Sequence, residues 1–444
     1  MIITVTDGQK ERKAVFREGT RASEIIAALG FDFSQPCGGI GRCGKCLCRI
    51  DGKTLHACKT PLFKDSLIEI PQSETQVLTA EKTVAGTNGV VIDIGTTTLA
   101  AALFKDGLPV KTLGRRNPQC SHGADVISRI ASPDKIALTL AINDAVKEIR
   151  QNLGKNENTV ITGNTAMLAL LCGLDVSEMG VHPFKMPSSF DLEYEGAYLP
   201  PCADAFVGAD ALCSMLYTGA KGTALMLDLG TNGEIGLLHE GKYYFTSTAA
   251  GPALEGANIS RGMAAESGAI FRVNANSYKV IGNAAPIGIC GSGLVDAMAL
   301  MLDSGVMNTY GSLNNNFEIH DSGVFITQDD VRAFQLCKAA IAAGAKTLLK
   351  KCGLTVDDID NIYLSGALGQ NIDLRNAIRT GLLPGAPIEK FTAIGNGALM
   401  GGAMLLNEAN RSKIRAMAKG CHCLNLGTDA GFMESYIEEM NFCI

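Results

Sequence analysis

A short motif occurs twice in the second part of the chain, and each copy ends a run of apolar residues. The first copy is Val90-Val-Ile-Asp93-Ile-Gly-Thr-Thr, and the second is Leu225-Met-Leu-Asp228-Leu-Gly-Thr. The apolar residues before each aspartate predict a buried strand, and each copy continues as a second strand, a turn and a third strand. A chain that repeats a three-stranded unit in this way is predicted to fold as two similar halves.

A second pair of segments supports the duplication. Residues 160–164 and 362–366 are both short strand patterns that break into Thr-Gly or Ser-Gly. Each pattern precedes a predicted helix, at 165–171 in one half and at 374–380 in the other. Each half is therefore expected to be a β-meander followed by helices and a further strand. Two such halves that face each other form a cleft, which the Asp-x-Gly-Thr turns would line.

The repeated turns carry residue types that suit phosphate and a divalent cation. A glycine turn presents backbone N–H groups and threonine adds hydroxyl groups, so together they can hold phosphate oxygens. An aspartate at the end of a strand suits Mg²⁺, usually through water, because this ion keeps most of its hydration shell. A single Asp-x-Gly-Thr is also an ordinary hairpin turn. Two copies, followed by the turn Ser365-Gly-Ala-Leu-Gly369, indicate a nucleotide cleft.

Four cysteines near the N-terminus define a second candidate site. Cys37, Cys43 and Cys46 stand within ten positions in a glycine-rich loop, and Cys58 follows. The plant-type two-iron spacing is Cys-x4-Cys-x2-Cys with a distant fourth cysteine, and here the first gap is one residue longer. A structural zinc site usually pairs two Cys-x2-Cys knuckles, of which one is present, and disulfides are disfavoured in a chain without a secretory signal. The pattern favours an iron–sulfur cluster, and Cys48 is expected to point away from it.

Composition and charge exclude several classes of protein. Charged residues make up 19% of the chain and the net charge is −6, which argues against a nucleic-acid surface. No apolar stretch approaches 18 residues, so we expect no membrane segment. The N-terminal residues form a strand pattern without the features of a signal peptide. Fifteen cysteines in such a chain indicate a reducing compartment, and the expected location is the cytoplasm.

The domain organisation follows from these patterns. Residues 1–71 read as a small α+β unit, with a hairpin, a helix over 20–29, the cysteine loop and further strands, and this order resembles the β-grasp fold of plant-type ferredoxins. Residues 72–88 are polar, lack periodicity and are predicted to form a linker. The remaining residues, 89–444, hold the duplicated unit, with lobes at about 89–222 and 223–444.

The motifs together resemble known families. The two phosphate loops and the glycine turn are similar to those of the actin, sugar kinase and Hsp70 superfamily of ATPases, which implies a two-lobed, actin-like α/β domain of duplicated, ribonuclease H-like halves. An N-terminal 2Fe–2S ferredoxin-like domain joined to such an ATPase resembles the reductive activators of corrinoid-dependent methyltransferases. Further segments similar to that family are 207–210, 250–256, 288–296 and the tail 432–442.

The resemblance implies an ATP-dependent transfer of one electron from the cluster to a Co(II) corrinoid protein, with a low-potential electron donor upstream. The implied iron ligands are Cys37, Cys43, Cys46 and Cys58. The implied ligands of hydrated Mg²⁺ are Asp93 and Asp228. The residues expected to cradle phosphates are Gly95, Thr96, Thr97, Gly230, Thr231 and Asn232. The residues expected to flank adenosine are Ser365, Gly366 and Gly369. Asp210 and Glu255 would position an attacking water, or serve as caps or salt-bridge partners.

Two other classes of function stay open at this point. The ATPase half could be a small-molecule kinase regulated by an iron–sulfur domain, or the chain could be a redox-sensing binding module with an inactive cleft. Both aspartates and both threonine-bearing loops are intact, which argues against the inactive cleft. The C-terminal cysteines 421, 423 and 443, with His422, lack the spacing of a second cluster and are interpreted as idle thiols.

Overall fold

The computed structural model describes residues 1–8, 10–31, 33, 46–70, 84, 87–123, 125–154 and 157–442. Cys37, Cys43, Cys443 and most of the predicted linker lie outside the described residues. Among the residues that are described, no helix combines the length and the apolar character needed to cross a membrane.

A five-stranded sheet and one helix form the N-terminal unit. The elements are β1 (Ile2–Thr6), β2 (Glu11–Val15), α1 (Ala22–Ala28), β3 (Leu47–Ile50), β4 (Lys53–His56) and β5 (Ser66–Glu69). The strand order is β2-β1-β5-β3-β4, and β1 pairs antiparallel with β2 and parallel with β5. Alternate residues of β1, Ile3 and Val5, are buried with Ile25 and Ile26 of α1. The helix therefore covers one face of this sheet.

Two details of this unit differ from the sequence prediction. Strand β4 was not predicted, although it pairs with β3 along its full length. The expectation that Cys48 points away from Cys46 was wrong, because both side chains are 1% exposed and belong to the same core. Residues two apart on an extended chain project to the same side, so the period of a strand places these two thiols together.

The first lobe is built on a six-stranded sheet in the order β10-β11-β9-β6-β7-β8. Its strands are β6 (Gly89–Ile94), β7 (Thr98–Lys105), β8 (Leu108–Arg116), β9 (Thr159–Gly163), β10 (Leu192–Tyr194) and β11 (Ala197–Leu199). Its helices are α2 (Val126–Ala131), α3 (Lys135–Leu153), α4 (Thr165–Leu171) and α5 (Ala209–Thr218). Strands β6, β7 and β8 form the predicted antiparallel meander, and β9 pairs parallel with β6.

The second lobe repeats this plan in a sheet of order β21-β20-β12-β13-β14-β22. The strands of that sheet are β12 (Ala224–Leu229), β13 (Gly233–His239), β14 (Lys242–Thr248), β20 (Asn361–Ser365), β21 (Phe391–Gly395) and β22 (His422–Cys423). The shorter strands are β15 (Ala269–Val273), β16 (Tyr278–Val280), β17 (Gly288–Ile289), β18 (Phe317–Glu318) and β19 (Phe325–Ile326). The helices are α6 (Gly291–Asp303), α7 (Gln328–Lys351), α8 (Gly366–Asn371), α9 (Leu374–Arg379), α10 (Gly397–Leu405), α11 (Arg411–Gly420) and α12 (Ala430–Glu439).

Two helices lie between the two large sheets. One core joins Val91 of the first sheet and Met226 of the second to Leu212 of α5 and Leu399 of α10. Helix α10 packs on β6 and β9 although it comes from the C-terminal part of the chain. The two lobes are therefore joined by a shared core, and the far end of the chain helps to build the first lobe.

The last described residues of the predicted linker pack on the first lobe. The Val84 N–H donates to the Gly107 carbonyl at 3.0 Å, and the Gly107 N–H donates to the Thr87 carbonyl at 2.9 Å. Val84 is 8% exposed and Thr87 1%. The chain is therefore fixed against the β7–β8 turn before the first strand of the lobe begins.

Candidate functional site

The two repeated turns occupy matching positions at the ends of central strands. Asp93 lies on β6 opposite Ala100 of β7, and Asp228 lies on β12 opposite Glu234 of β13. The turn after Asp93 is tight, because the Gly95 N–H donates to the Thr98 carbonyl at 3.0 Å. A Cβ atom at Gly95 would lie 2.6 Å from that carbonyl oxygen, so this turn requires glycine.

The two phosphate-loop threonines meet across the cleft. The hydroxyl oxygens of Thr97 and Thr231 are 3.0 Å apart. Both hydroxyls also donate to the carboxylate of Glu255, Thr97 at 3.0 Å and Thr231 at 2.8 Å. Glu255 ends a 3-10 helix at Pro252–Glu255 in the second lobe. One threonine of each repeated turn therefore donates to the same carboxylate, that of Glu255.

Four carboxyl groups surround the same region. Burial, followed by repulsion from Asp210, raises the pKa of Asp93 to about 8, and the Asn396 amide, which donates at 3.0 Å, opposes the rise. Burial raises the pKa of Asp210 to about 7. Burial also raises the pKa of Asp228. The pKa of Glu234 lies well above its ordinary value, because burial and repulsion from Asp210, Asp228 and Asp93 all raise it. A cation would relieve this repulsion.

The acidic groups are not arranged as a direct chelate. Within the part of the chain that the structure describes, no three His, Cys, Asp or Glu side chains form a group that could hold a metal ion. Mg²⁺ bound mainly through its own water needs no such group, because it retains several water ligands. The residue types therefore fit a hydrated cation better than one held directly by protein ligands.

The glycine turn of the second lobe supports Asp228. The Ser365 hydroxyl donates to Asp228 Oδ2 at 2.7 Å, and the side chain is 1% exposed. Gly366 has φ 87°, and a Cβ atom there would lie 3.1 Å from Asp228 Oδ1. A Cβ atom at Gly369 would lie 2.9 Å from Leu364 Cβ, so this glycine lets α8 pack against β20. The turn thus orients the carboxylate, and a role toward adenosine stays a prediction.

Buried polar groups fix the turn that follows Asp93. The Asn164 amide donates to the Thr96 hydroxyl at 3.1 Å, and the Asn117 amide donates to the Gly95 carbonyl at 2.8 Å. Arg129 is fully buried and donates to the Thr96 carbonyl at 2.6 Å. These bonds fix the loop before any ligand binds, which lowers the entropy that binding has to overcome.

The second loop is anchored differently. The Gly251 N–H donates to the Thr231 carbonyl at 2.9 Å, which ties the loop to the segment that carries Glu255. A Cβ atom at Gly230 would lie 3.4 Å from the Asn232 carbonyl oxygen, an ordinary contact, so packing alone does not require glycine there. Asn232 is partly exposed beside the loop.

Two residues of this region were missed in the sequence. Glu234 follows Asp228 by six positions and stands directly opposite it across the β12–β13 hairpin, so the meander pattern contained a signal for it. Asn396 contacts Asp93 although 303 positions separate them, and it caps α10 by accepting from the Leu399 N–H. No local pattern links Asn396 to the motif, so its position required the fold.

The two described cysteines of the predicted cluster site lie together. Their sulfur atoms, in Cys46 and Cys58, are 3.0 Å apart, and the Cys58 N–H donates to Cys46 Sγ at 3.4 Å. Both side chains are buried. The separation is too long for a disulfide bond, whose sulfur atoms lie about 2.05 Å apart. Near the C-terminus, the sulfur atoms of Cys421 and Cys423 are 4.0 Å apart.

We expect the protein without Mg²⁺ to lose stability as the pH rises from about 4 to about 8. The pKa of Asp93 is raised from 3.8 to about 8, so the folded state binds this proton more tightly than the unfolded state does. A raised carboxyl pKa contributes stability that is fully present below the unfolded value and is lost as the pH rises through the folded value. Thermal unfolding between pH 5.5 and 8.5 measures the loss. The Asp93→Asn variant should lose less, since asparagine does not ionise, and an equal loss would contradict the assignment.

Comparison with known proteins agrees with the fold and the cleft. Residues 222–444 match the family model described as the C-terminal domain of RACo, the ASKHA domain, and residues 88–222 match the RACo middle region. The chain is 34% identical over 418 residues to the corrinoid activation enzyme RamQ of Eubacterium limosum. The alignment covers 80% of this chain and 70% of that protein.

Two further similarities agree. The [Co(II) methylated amine-specific corrinoid protein] reductase of Methanosarcina barkeri is 27% identical over 416 residues, covering 80% of this chain and 77% of that protein. The solved structure of a reductive activator for a corrinoid, iron–sulfur protein superposes with a TM-score of 0.71 at 24% identity, over 99% of this chain and 98% of that chain. The duplicated lobes therefore have the actin-like ASKHA fold, and the chain belongs to the RACo family of corrinoid activation enzymes.

Proposed function

We propose that the chain is an ATP-dependent reductive activator that passes one electron from a [2Fe–2S] cluster to the Co(II) corrinoid protein of a methyltransferase system and regenerates Co(I). The relatives named as a corrinoid activation enzyme and a corrinoid protein reductase support this reaction. The structural observation that carries the proposal is the meeting of Thr97 and Thr231 at 3.0 Å beside four carboxyl groups. Two facing threonine loops beside an acidic cluster are what an ATP-dependent step needs.

The N-terminal unit is the proposed electron-transfer domain. Residues 1–71 would be a β-grasp, ferredoxin-like domain, residues 72–88 a linker and residues 89–444 the ATPase domain. The mixed five-stranded sheet with one covering helix supports this division. Twelve free cysteines among the described residues fit the reducing cytoplasm as the location.

The thiols of this unit fit an iron–sulfur cluster. Cys46 and Cys58 converge without being close enough for a disulfide, and Cys37 and Cys43 would complete the set of four. When bound, a plant-type cluster supplies single electrons at about −400 mV. The Cys58 N–H, which points at Cys46 Sγ, would donate a hydrogen bond to a ligand sulfur, and such bonds adjust the reduction potential of a metal site. The surrounding apolar core excludes water from these two ligands.

ATP with Mg²⁺ is the proposed ligand of the interlobe cleft. Asp93 and Asp228 would hold the hydrated cation, and Asp210 would orient the attacking water. The residues proposed to contact phosphates are Gly95, Thr96, Thr97, Gly230, Thr231 and Asn232. The residues proposed to flank adenosine are Ser365, Gly366 and Gly369. Within the protein, the Thr97 and Thr231 hydroxyls both donate to Glu255.

Glu255 gives the nucleotide a way to change the cleft. Phosphate oxygens and the Glu255 carboxylate accept hydrogen bonds from the same two hydroxyls and repel each other. Binding of ATP would therefore replace the carboxylate as acceptor and rearrange the contact between the lobes. A nucleotide can drive an unfavourable electron transfer only through different affinities for two states of the protein, and this exchange supplies such a difference.

The test is an ATP-dependent spectral change in a corrinoid partner. The protein is purified without oxygen, reduced with dithionite and mixed with a Co(II) corrinoid protein, and visible spectra are recorded with and without Mg-ATP. We expect the Co(I) band only with Mg-ATP. Formation of Co(I) to the same extent without Mg-ATP would contradict the proposed dependence of electron transfer on ATP. No Co(I) with several corrinoid partners and an intact cluster would contradict the function, and substrate-dependent ATP consumption without a corrinoid protein would then indicate a kinase.

A further inference from the structure

Arg116 ends strand β8 on the side of the first lobe that faces the second. It pairs with Thr98, the residue that follows the first phosphate loop, while Asp93 pairs with Ala100 two positions further along β7. Because side chains alternate along a strand and pairs in register project to the same side, Arg116 lies on the same sheet face as Asp93. Ala102, on this face of β7, packs in the core between the two sheets. Arg116 therefore borders the cleft beside the first loop.

The guanidinium group of Arg116 has a buried donor without an acceptor. Its Nη1 atom is enclosed and makes no hydrogen bond within the described chain. Among the described carboxylates none forms an ion pair with it, whereas the adjacent Arg115 donates to Glu148 at 2.8 Å on the opposite face. An enclosed donor that lacks a partner is costly to maintain. An anion bound beside the first loop would supply an acceptor for this donor.

A second cation, the buried Arg129, is close enough to Arg116 for their charges to interact. Burial lowers the pKa of Arg129, Cys120 and Asp125 oppose this effect, and the charge of Arg116 adds to it. The contacts of Arg129 are with neutral groups: the carbonyls of Gly123 and Thr96, the side-chain oxygen of Gln119, and the sulfur atoms of Met167 and Cys120. Two positive groups thus adjoin the first phosphate loop, and an anion at this loop would stabilise both.

The two lobes differ at this point in charge. Glu234 stands opposite Asp228 in the second lobe, whereas the neutral Ala100 stands opposite Asp93 in the first. The paired residues Asp93, Ala100 and Gly114 match Asp228, Glu234 and Ser247, so the residue of the second lobe that corresponds to Arg116, two positions after Gly114, is Ala249. At these two matched positions, the first lobe therefore has a cation and a neutral residue, and the second lobe has a neutral residue and a carboxylate. This asymmetry suits a ligand with a phosphate end at the first lobe and a metal ion at the second.

We propose that Arg116 binds the terminal phosphate of ATP, an inference that rests on the proposed nucleotide cleft and deepens it. The planar guanidinium can donate two parallel hydrogen bonds to a phosphate, which lysine cannot reproduce. The γ-phosphate is the part of ATP that ADP lacks. Arg116 is therefore a residue that distinguishes ATP from ADP and so confines the activating state to the triphosphate.

The proposal is tested by nucleotide affinities of the full-length holoprotein measured by isothermal titration calorimetry. The ligands are ADP and a non-hydrolysable ATP analogue, each with Mg²⁺. Arg116→Gln is expected to weaken binding of the analogue about tenfold or more while ADP affinity changes less than about twofold, because a charged hydrogen bond to the γ-phosphate is lost. Arg116→Lys is expected to recover part of the loss. Arg115→Gln, next in the chain and on the opposite face, should leave the ratio of the two affinities unchanged.

Each other outcome rejects a different statement. Equal weakening of both ligands by Arg116→Gln, or no weakening, would overturn the role of Arg116 while the nucleotide cleft stands. If Arg115→Gln shifted the ratio of the two nucleotide affinities as much as Arg116→Gln does, the effect would be structural, and the role of Arg116 would also be overturned. Thermal unfolding of each variant identifies misfolded protein. If Arg116→Gln is misfolded, the ratio of the affinities for the ATP analogue and ADP in Arg116→Lys decides the question. Absence of nucleotide binding in the unsubstituted protein would reject the proposed function itself.

Discussion

The Asp228→Asn variant is expected to lose ATP-dependent formation of Co(I) by about a hundredfold or more while keeping the visible spectrum of its cluster. Asp228 is one of the two proposed ligands of hydrated Mg²⁺, and metal-ion stabilisation of a phosphoryl transition state is worth several kcal/mol, which corresponds to a factor of this size. The Ser365 hydroxyl donates to Asp228 Oδ2 at 2.7 Å in the unsubstituted protein. Asparagine keeps the shape of the side chain, and its amide oxygen can accept the same hydrogen bond. The change therefore removes charge and little else.

The same substitution is expected to stabilise the Mg²⁺-free protein at neutral pH. Burial raises the pKa of Asp228, which means that its ionised form is less favourable in the folded than in the unfolded state. A neutral side chain removes this penalty and also the repulsion that Asp228 exerts on Asp210 and Glu234. A melting temperature that rises while activity falls would separate a functional role from damage to the fold.

The control for Asp228 is a carboxylate away from the cleft. Asp303 ends α6, is 59% exposed and pairs with Arg379 at 2.8 Å, so Asp303→Asn removes a charge from the surface. This variant should keep full activation, because an exposed ion pair contributes little to stability. Activation that survives in Asp228→Asn, or that falls equally in Asp303→Asn, would show that the assignment of Asp228 is wrong.

The duplicated plan could be predicted because its signals are local. An apolar run that ends in Asp-x-Gly-Thr specifies a buried strand and a tight turn, and the structure has β6 and β12 at these positions, each followed by an antiparallel meander. Helix α4 spans residues 165–171 as predicted, since Asn164 caps it by accepting from the Met167 N–H. Helix α3 at Lys135–Leu153 is capped in the same way, because the Asp134 side chain accepts from the Ala137 N–H.

The remaining features depend on contacts between distant parts of the chain. Asn396 reaches Asp93, and α10, which follows it, packs on the first lobe, because the shared core between the sheets recruits a helix from the far end of the chain. Helix α8 was not predicted because the sequence after Ser365 reads as a glycine turn, and in the structure that turn begins a helix directly. The unpaired donor of Arg116 depends on which groups surround it, which no spacing in the sequence reveals.

The Cys58→Ser variant is expected to lose the visible absorption of the cluster and all electron transfer while keeping nucleotide affinity. The thiol of Cys58 lies 3.0 Å from that of Cys46 in a buried site, and serine places a harder oxygen donor where iron prefers thiolate. The residues of the proposed nucleotide cleft lie between positions 93 and 396, outside the N-terminal unit that holds Cys58. Iron and sulfide content, the visible spectrum and the electron paramagnetic resonance signal of the reduced protein measure the loss, and calorimetry measures nucleotide binding.

Cys48→Ser is the matched control, because Cys48 is equally buried, belongs to the same core and has no assigned ligand role. Its thiol lies 3.8 Å from the Leu55 carbonyl oxygen, and serine has nearly the same shape as cysteine. Because this substitution perturbs the same core without removing a proposed ligand, it should leave the iron content and the spectrum unchanged. If Cys48→Ser lost the cluster while Cys58→Ser retained it, the fourth ligand would be Cys48, and the separation of 3.0 Å between Cys46 and Cys58 would reflect core packing alone.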